Sequence, residues 1–135
     1  MMIVLNRDGS SVAFLGYDNM VSAADDYKWQ VGSVTLHNHP RGSPPSLKDI
    51  ENIVAYEKRT SIVVTREKVY VIEKVESKPL GATGGEFGLM RIELWAAKQR
   101  ANDEGRTVTD KMLEAFRWKQ IAERQEALGL RIREV

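Results

Sequence analysis

The chain has 135 residues and a formal net charge of +1, and it contains no cysteine. This length suits one domain with one hydrophobic core, and a composition of 42% hydrophobic and 29% charged residues is typical of a globular protein. The missing cysteines exclude disulfides, thiolate zinc sites and cysteine nucleophiles, and the near-neutral charge gives no electrostatic reason to expect nucleic acid or an anionic membrane as partner. No apolar run is long enough for a signal segment or a membrane span, so we expect a cytoplasmic protein.

The first part of the chain is dominated by predicted strands. Five apolar or β-branched runs bounded by turn residues indicate strands, namely residues 2–6, 11–16, 31–38, 61–65 and 69–73. Asp8-Gly9 is a strong turn signal for a hairpin of the first two, and Pro40 closes the third because proline cannot donate to a ladder. Residues 17–30 are ambiguous, although Tyr27 and Trp29 alternate as on one face of a strand.

A helix is predicted between the third and fourth of these strands. The segment 40–45 (PRGSPP) reads as a loop, and Ser46 is well placed as the N-cap of a helix over residues 47–58. The apolar residues of that helix recur on one face: Leu47, Ile50, Ile53 and Val54.

The last third of the chain has helical periodicity. Gly81, Gly84 and Gly85 indicate a flexible connection, after which one helix follows and a second begins at Thr109 and ends at Gly129. The mixed charges of these helices favour a solvated face over a nucleic-acid interface. Four aromatic residues at helical spacing are expected in the core: Tyr56, Trp95, Phe116 and Trp118. If exposed instead, they would offer a surface for a homodimer or another partner through the C-terminal helices.

The two histidines of the chain lie two residues apart, at His37 and His39. On a strand these positions project to the same side, so both imidazoles can bind one ion. Imidazole is a common zinc ligand, and a catalytic zinc typically has three protein ligands and a water. Ordinary polar residues at a strand end are the alternative interpretation.

Asp49 is the best candidate for a third ligand. It stands in the first turn of the predicted helix, where the proline-rich loop can return the chain toward the strand end. The alternative is that Asp49 only forms a capping box with Ser46. Taken together, the three residues favour one divalent metal site, with Zn²⁺ as the expected ion and amide hydrolysis as chemistry open to it.

The segment from His37 to Ile50, HNHPRGSPPSLKDI, resembles the metal-binding signature of the JAMM/MPN superfamily of zinc isopeptidases, which reads His-x-His-Pro, a loop, then Ser-x-x-Asp. It is most similar to the bacterial and phage branch, with its RadC-like and phage head-morphogenesis-associated domains. The resemblance implies that His37, His39 and Asp49 bind zinc and that Ser46 stabilises the tetrahedral intermediate as a catalytic residue.

The resemblance also implies a fold and a set of partners. The fold is an α/β or α+β domain with a mixed sheet and flanking helices in a three-layer arrangement, followed by a C-terminal helical pair. We expect residues 1–80 to form the metal-binding part and residues 81–135 a helical extension of the same domain. The expected partner is a peptide or protein substrate, or a phage or mobile-element protein.

The chain departs from the family pattern in its general base. The family uses a glutamate on an early strand, but no glutamate precedes Glu51 here, and the chain is expected to begin about where that residue would stand. The carboxylates left as candidates are Asp18, Asp25, Asp26, Glu51 and Glu57, whereas Asp8 is better explained by its turn. The sequence therefore predicts either a zinc hydrolase for peptide or isopeptide bonds or a metal-binding interaction module without catalysis. A metal-dependent nuclease, suggested only by the letters His-Asn-His, is disfavoured by the lack of basic excess.

Overall fold

The computed structural model describes residues 1–16, 28, 30–55 and 60–135. Its elements in chain order are β1 (Met2–Leu5), β2 (Ser11–Phe14), β3 (Val34–Asn38), α1 (Leu47–Ala55), β4 (Thr60–Val64), β5 (Val69–Lys74), α2 (Leu80–Asp103), α3 (Asp110–Glu123) and β6 (Leu130–Glu134). The six strands form one mixed sheet in the order β2-β1-β3-β4-β5-β6. The predicted α+β class with a mixed sheet is confirmed.

The first hairpin forms where the turn signal predicts it. The backbone N–H of Asn6 donates to the Ser10 carbonyl, and the Asp8 carboxylate accepts from the backbone and hydroxyl of Ser10 at 2.9 and 2.6 Å. Gly9 supplies the positive φ of +89° that this turn requires. Asp8 is thus fully explained as a turn residue.

One parallel pair distinguishes the centre of the sheet. β3 and β4 run parallel with α1 as their crossover, while all other neighbouring strands are antiparallel. In such a unit the carboxyl end of the first strand faces the N-terminus of the helix, which is where open α/β sheets commonly bind ligands. The predicted metal ligands lie at this junction.

The three described helices share one core with one face of the sheet. A single cluster joins residues of α1, α2, α3 and β5 with the turn before β6 and the first residue of β6: Ile50, Ile53, Val54, Ile72, Phe87, Met90, Ile121, Leu128 and Leu130. These helices therefore form one layer, and the predicted three-layer arrangement is not seen among the described residues. Since Phe87, Met90 and Ile121 are buried in that cluster, the C-terminal segment belongs to the same core as the strands.

Two predictions for the C-terminal third were wrong. The glycine cluster is not a connection, because Gly81, Gly84 and Gly85 lie inside α2, which is held by the buried side chains of Phe87 and Met90. Packing of an apolar face outweighs a cost of about 1 kcal/mol per helical glycine. The last helix ends at Glu123 rather than at Gly129.

Gly129 instead introduces a strand that the sequence analysis did not predict. Its carbonyl accepts from the N–H groups of Val75 and Glu76, and β6 then pairs antiparallel with β5. Its φ is +73°, and a Cβ there would overlap the carbonyl oxygen of Glu76. The close approach of two chain segments therefore requires glycine at this position.

The aromatic residues are divided between core and surface. Trp118 packs against the core cluster and its indole donates to Glu134 at 2.8 Å, whereas Trp95 is 63% exposed, so its predicted core position was wrong. Phe116 is partly buried. Tyr56, the alternation of Tyr27 with Trp29, and the predicted end of the first helix at residue 58 lie outside the described residues. No helix in the described part of the chain is both long and apolar enough to cross a bilayer.

Candidate metal centre

β3 carries His37 on the face of the sheet that meets α1. In the strand register His37 lies between Met2 of β1 and Val63 of β4, both of them buried. The His37 side chain is 10% exposed. An imidazole in these apolar surroundings gains little from water and depends on protein groups or a bound ion for its polar contacts.

His39 follows the last residue of β3, but its backbone still pairs with β4 as the strand does. Its backbone N–H donates to the Val64 carbonyl at 2.9 Å, which continues the parallel ladder for two residues beyond His37. Side chains two apart on an extended segment point to the same face, as predicted for this pair. The two Nε2 atoms lie 3.2 Å apart.

The loop after His39 fixes the orientation of its ring. Gly42, with φ of +79°, lets the chain turn back, and its N–H donates to the His39 carbonyl. The carbonyl oxygen of Ser43 then lies 2.9 Å from Nδ1 of His39. A proton on Nδ1 is donated to this carbonyl, which leaves the Nε2 lone pair directed at the site. Sequence reasoning missed Ser43, since backbone contacts carry no residue-type signal.

Ser46 and Asp49 form a reciprocal capping box at the start of α1. The backbone N–H of Asp49 donates to Oγ of Ser46 at 3.1 Å, and the backbone N–H of Ser46 donates to Oδ2 of Asp49 at 2.9 Å. The capping box, which was the alternative interpretation of Asp49, is therefore present. It does not compete with ligation, because the cap holds the carboxylate so that both oxygens also face the histidines.

The three predicted ligands converge. Nε2 of His37 lies 3.7 Å from Oδ1 of Asp49, and Nε2 of His39 lies 3.4 Å from Oδ2. A set of ligating atoms from these residues fits within 4.8 Å of one another, and they form the only such group of three or more His, Asp and Glu side chains among the described residues.

These separations fit a tetrahedral ion. Zinc bonds of 2.0–2.1 Å place two tetrahedral ligand atoms about 3.3 Å apart. The two nitrogens are 3.2 Å apart, and the distances of 3.7 Å from His37 and 3.4 Å from His39 end on different oxygens of the Asp49 carboxylate, so one of these oxygens must approach both nitrogens for the three residues to share an ion. The donor set of two imidazoles and one carboxylate suits zinc and leaves one position for water.

The electrostatics favour a cation between the three groups. Burial opposes the charge on Asp49, but hydrogen bonds from His37 and His39 outweigh it and hold the pKa of this carboxyl well below its usual range. Burial likewise opposes protonation of His39, yet the hydrogen bonds to Asp49 and to the Ser43 carbonyl raise its pKa above the ordinary value. Surroundings that stabilise the protonated form of His39 also stabilise a metal cation in place of that proton.

The described residues supply no general base beside this group. Asp8 lies in the turn after β1, at the opposite end of the strand from Met2, which pairs with His37. Glu51 is bound to Arg91 of α2 at 3.0 Å. The remaining candidates Asp18, Asp25, Asp26 and Glu57 lie outside the described residues.

Comparison with known proteins adds no relative to this description. No protein-family model matches the chain, and neither a curated protein nor a solved structure matches it. Membership of the JAMM/MPN superfamily therefore stays a prediction based on the segment from His37 to Ile50.

Proposed function

We propose that the chain is a zinc-binding domain that hydrolyses peptide or isopeptide bonds, with His37, His39 and Asp49 as metal ligands. The observation that supports this most directly is the convergence of two Nε2 atoms 3.2 Å apart with a carboxylate 3.4 and 3.7 Å away. A zinc ion with such ligands supplies Lewis acidity and lowers the pKa of a coordinated water to near neutrality.

The hydroxyl proton of Ser46 is available to donate a hydrogen bond to a substrate. Its oxygen accepts the N–H of Asp49, and this leaves the hydroxyl proton free to donate elsewhere. Ser46 is exposed and stands one helical turn from Asp49, so a carbonyl oxygen entering the site can receive that hydrogen bond as negative charge develops on it. The same residue thereby caps the helix and polarises the substrate.

The choice of amide substrates comes from the resemblance of the sequence signature. Histidine spacing, the proline after His39 and the Ser-x-x-Asp sequence together resemble those of the zinc isopeptidases. A peptide or protein substrate, in a phage or mobile-element setting, is the partner class that this resemblance implies.

A second function is favoured by one specific observation. Among the described residues, no carboxylate other than that of Asp49 belongs to the metal-binding group. A general base contributes typically ~10²- to 10⁴-fold to a rate, so a centre without one binds metal but turns over slowly. The alternative is therefore a metal-stabilised module that acts by contacting a partner protein.

Two measurements test these functions in sequence. Zinc content and affinity are measured first, on protein purified without chelator, by elemental mass spectrometry and calorimetric titration. We expect one zinc per chain in the parent, and a lower zinc content and weaker affinity in His39→Ala. Absence of stoichiometric zinc together with absence of binding to added zinc would refute both functions.

Turnover then separates the hydrolase from the binding module. We expect cleavage within a panel of fluorogenic peptides and lysine-linked isopeptides, abolished by His39→Ala and strongly reduced by Ser46→Ala. If the folded protein holds stoichiometric zinc but cleaves no member of the panel, the hydrolase is refuted and the metal-stabilised binding module is supported.

A further inference from the structure

β3 and the residue before it carry buried polar atoms that have no hydrogen-bond partner. Oγ of Ser33, Oγ1 of Thr35 and Nδ1 of His37 are all buried and have no hydrogen-bond partner among the described residues. Ser33 and Thr35 are 0% and 1% exposed. Buried polar atoms normally have a partner, because an unpartnered one loses the hydrogen bonds that it makes with water in the unfolded chain, so three such atoms within residues 33–37 require an explanation.

The strand register divides these atoms into two groups. Leu5 lies opposite Val34, and continuing the antiparallel register places Asn6 beside Ser33. The side-chain oxygen of Asn6 is also buried and unpaired, and it can accept only. Ser33 therefore has a complementary group at its own end of the strand. Thr35 and His37 are left as neighbours at the other end.

The spacing of Thr35 and His37 suits a bridge by one water molecule. Residues two apart on a strand lie about 6.6 Å apart on the same face, and neither Oγ1 of Thr35 nor Nδ1 of His37 makes a hydrogen bond, so the two groups do not bond to each other directly. Two hydrogen bonds through a single water span about 5 to 5.6 Å, and the side chains supply the rest of the distance. A buried water is placed where otherwise unsatisfied polar groups need it.

A water bridge between Thr35 and His37 would matter for metal binding, because it would hold the ring of a metal ligand. His37 faces the site with Nε2, so in the ligating state its proton resides on Nδ1 and needs an acceptor. His39 has such an acceptor in the Ser43 carbonyl, 2.9 Å from its Nδ1. For His37 the nearest buried group on its own face of the strand that can accept is the hydroxyl of Thr35.

We propose that Thr35 is a positioning residue of the metal centre, which holds the Nδ1–H of His37 through one buried water and so keeps Nε2 directed at the ion. The inference rests on the proposed zinc centre. Second-sphere partners of this kind change metal affinity by about 10- to 100-fold when they are removed. Thr35 does not contact the ion or the substrate, so its effect acts entirely through His37.

Isosteric variants test the role of the hydroxyl. Thr35→Val keeps the shape and removes the hydroxyl, Thr35→Ser keeps the hydroxyl, and Ser33→Ala removes a buried unpaired hydroxyl from the same face about 13 Å from His37. Zinc affinity is measured by competition with a chromophoric chelator, and thermal unfolding of the metal-free proteins monitors the fold. We expect Thr35→Val to weaken zinc binding about 10- to 100-fold, while Thr35→Ser and Ser33→Ala stay within a few-fold of the parent.

The outcomes distinguish this inference from the metal centre itself. Zinc binding by the parent with equal affinity in Thr35→Val would overturn the role of Thr35 and leave the centre intact. Equal weakening in Ser33→Ala would also overturn it, because general loosening of the strand would then suffice. No zinc binding by the parent would refute the centre and the inference together.

Nuclear magnetic resonance provides a test that does not depend on any variant folding. The chain has only two histidines, so ¹⁵N-histidine labelling gives four ring nitrogens to assign. In the zinc-bound parent we expect a proton on Nδ1 of His37 with a cross-peak to a long-lived water. A His37 bound through Nδ1, or an Nδ1 proton in contact with no water, would overturn the proposal.

Discussion

Ser46 and Asp49 exchange hydrogen bonds of 2.9 and 3.1 Å across the first turn of α1, and the same carboxylate lies 3.4 Å from His39. One pair of side chains therefore begins the helix and completes the metal-binding group. Capping of the helix and binding of the metal therefore depend on the same two residues. The variants Asp49→Asn and Ser46→Ala separate these two roles.

Asp49→Asn should remove the ligand and retain the cap. An amide oxygen can still accept the N–H of Ser46, but it carries no charge and is a poorer zinc ligand than a carboxylate. We expect zinc affinity to fall more than about 100-fold, beyond the second-sphere range, while the metal-free protein loses only the stability that the charged carboxylate gives through its contacts with the histidines. Zinc titration and thermal unfolding measure the two effects.

Ser46→Ala is the matched variant and should lose part of the cap while it retains the metal ligands. Loss of an N-cap hydroxyl costs about 1 kcal/mol of stability, while all three ligands remain. Zinc affinity should change much less than in Asp49→Asn. If Ser46→Ala lost zinc as completely as Asp49→Asn, the separation of capping from ligation would be wrong.

The stabilisation by zinc should increase with pH. The folded-state pKa of His39 is raised, so in the metal-free protein its contribution to stability is complete below the unfolded pKa of about 6.5 and is lost as pH rises through the folded value. The pKa of Asp49 is lowered, so its contribution is present above about pH 3.9 and is lost only in acid. Zinc needs a neutral imidazole, and its affinity rises as the His39 proton leaves. We expect the zinc-induced shift of the unfolding midpoint to be larger at pH 8 than at pH 6; equal shifts would contradict competition with this proton.

Gly129 should tolerate alanine far less than Gly105. Both have positive φ, +73° and +67°, but only at Gly129 does an added Cβ overlap the backbone of Glu76. Gly105→Ala should cost about 1 kcal/mol from the strained backbone alone. Gly129→Ala should cost clearly more, because β6 must shift from β5. Chemical denaturation of both variants measures this, and equal losses would show that the close approach to Glu76 does not matter.

Ile121→Ala should test whether the C-terminal helices share the core of the sheet. Ile121 is fully buried in the common cluster, so truncation should cost about 2–5 kcal/mol and lower a single unfolding transition. Ile92 is 63% exposed on α2, and Ile92→Ala should change stability by less than about 0.5 kcal/mol. A separate transition for the C-terminal segment, with the remainder unaffected by Ile121→Ala, would contradict a common core.

The sequence predicted the arrangement of His37, His39 and Asp49 better than it predicted the C-terminal third of the chain. Strand alternation placed His37 and His39 on one face, and the capping pattern placed Asp49 in the first helical turn, because both are local rules of backbone geometry. The contribution of Ser43 could not be found in this way, since it is made by a carbonyl oxygen that every residue has.

The C-terminal errors arose where tertiary packing overrides local preference. Glycines favoured a connection at Gly81, but buried residues further along α2 hold the segment as helix. The sequence pattern indicates a helix end at Gly129, whereas the role of this glycine is set by the approach of Glu76, a contact between distant parts of the sequence. The exposure of Trp95 also depends on which face of α2 meets the sheet, and apolar residues on both faces of that helix conceal this in the sequence.

The most direct measurement of the central claim is zinc X-ray absorption on the stoichiometric complex, with His39→Ala as its matched control. The account predicts a four-coordinate ion with two imidazole nitrogens at about 2.0–2.1 Å and oxygen ligands completing the shell, and a lost imidazole in the variant. A zinc shell without imidazole scattering, or a shell unchanged by His39→Ala, would contradict it.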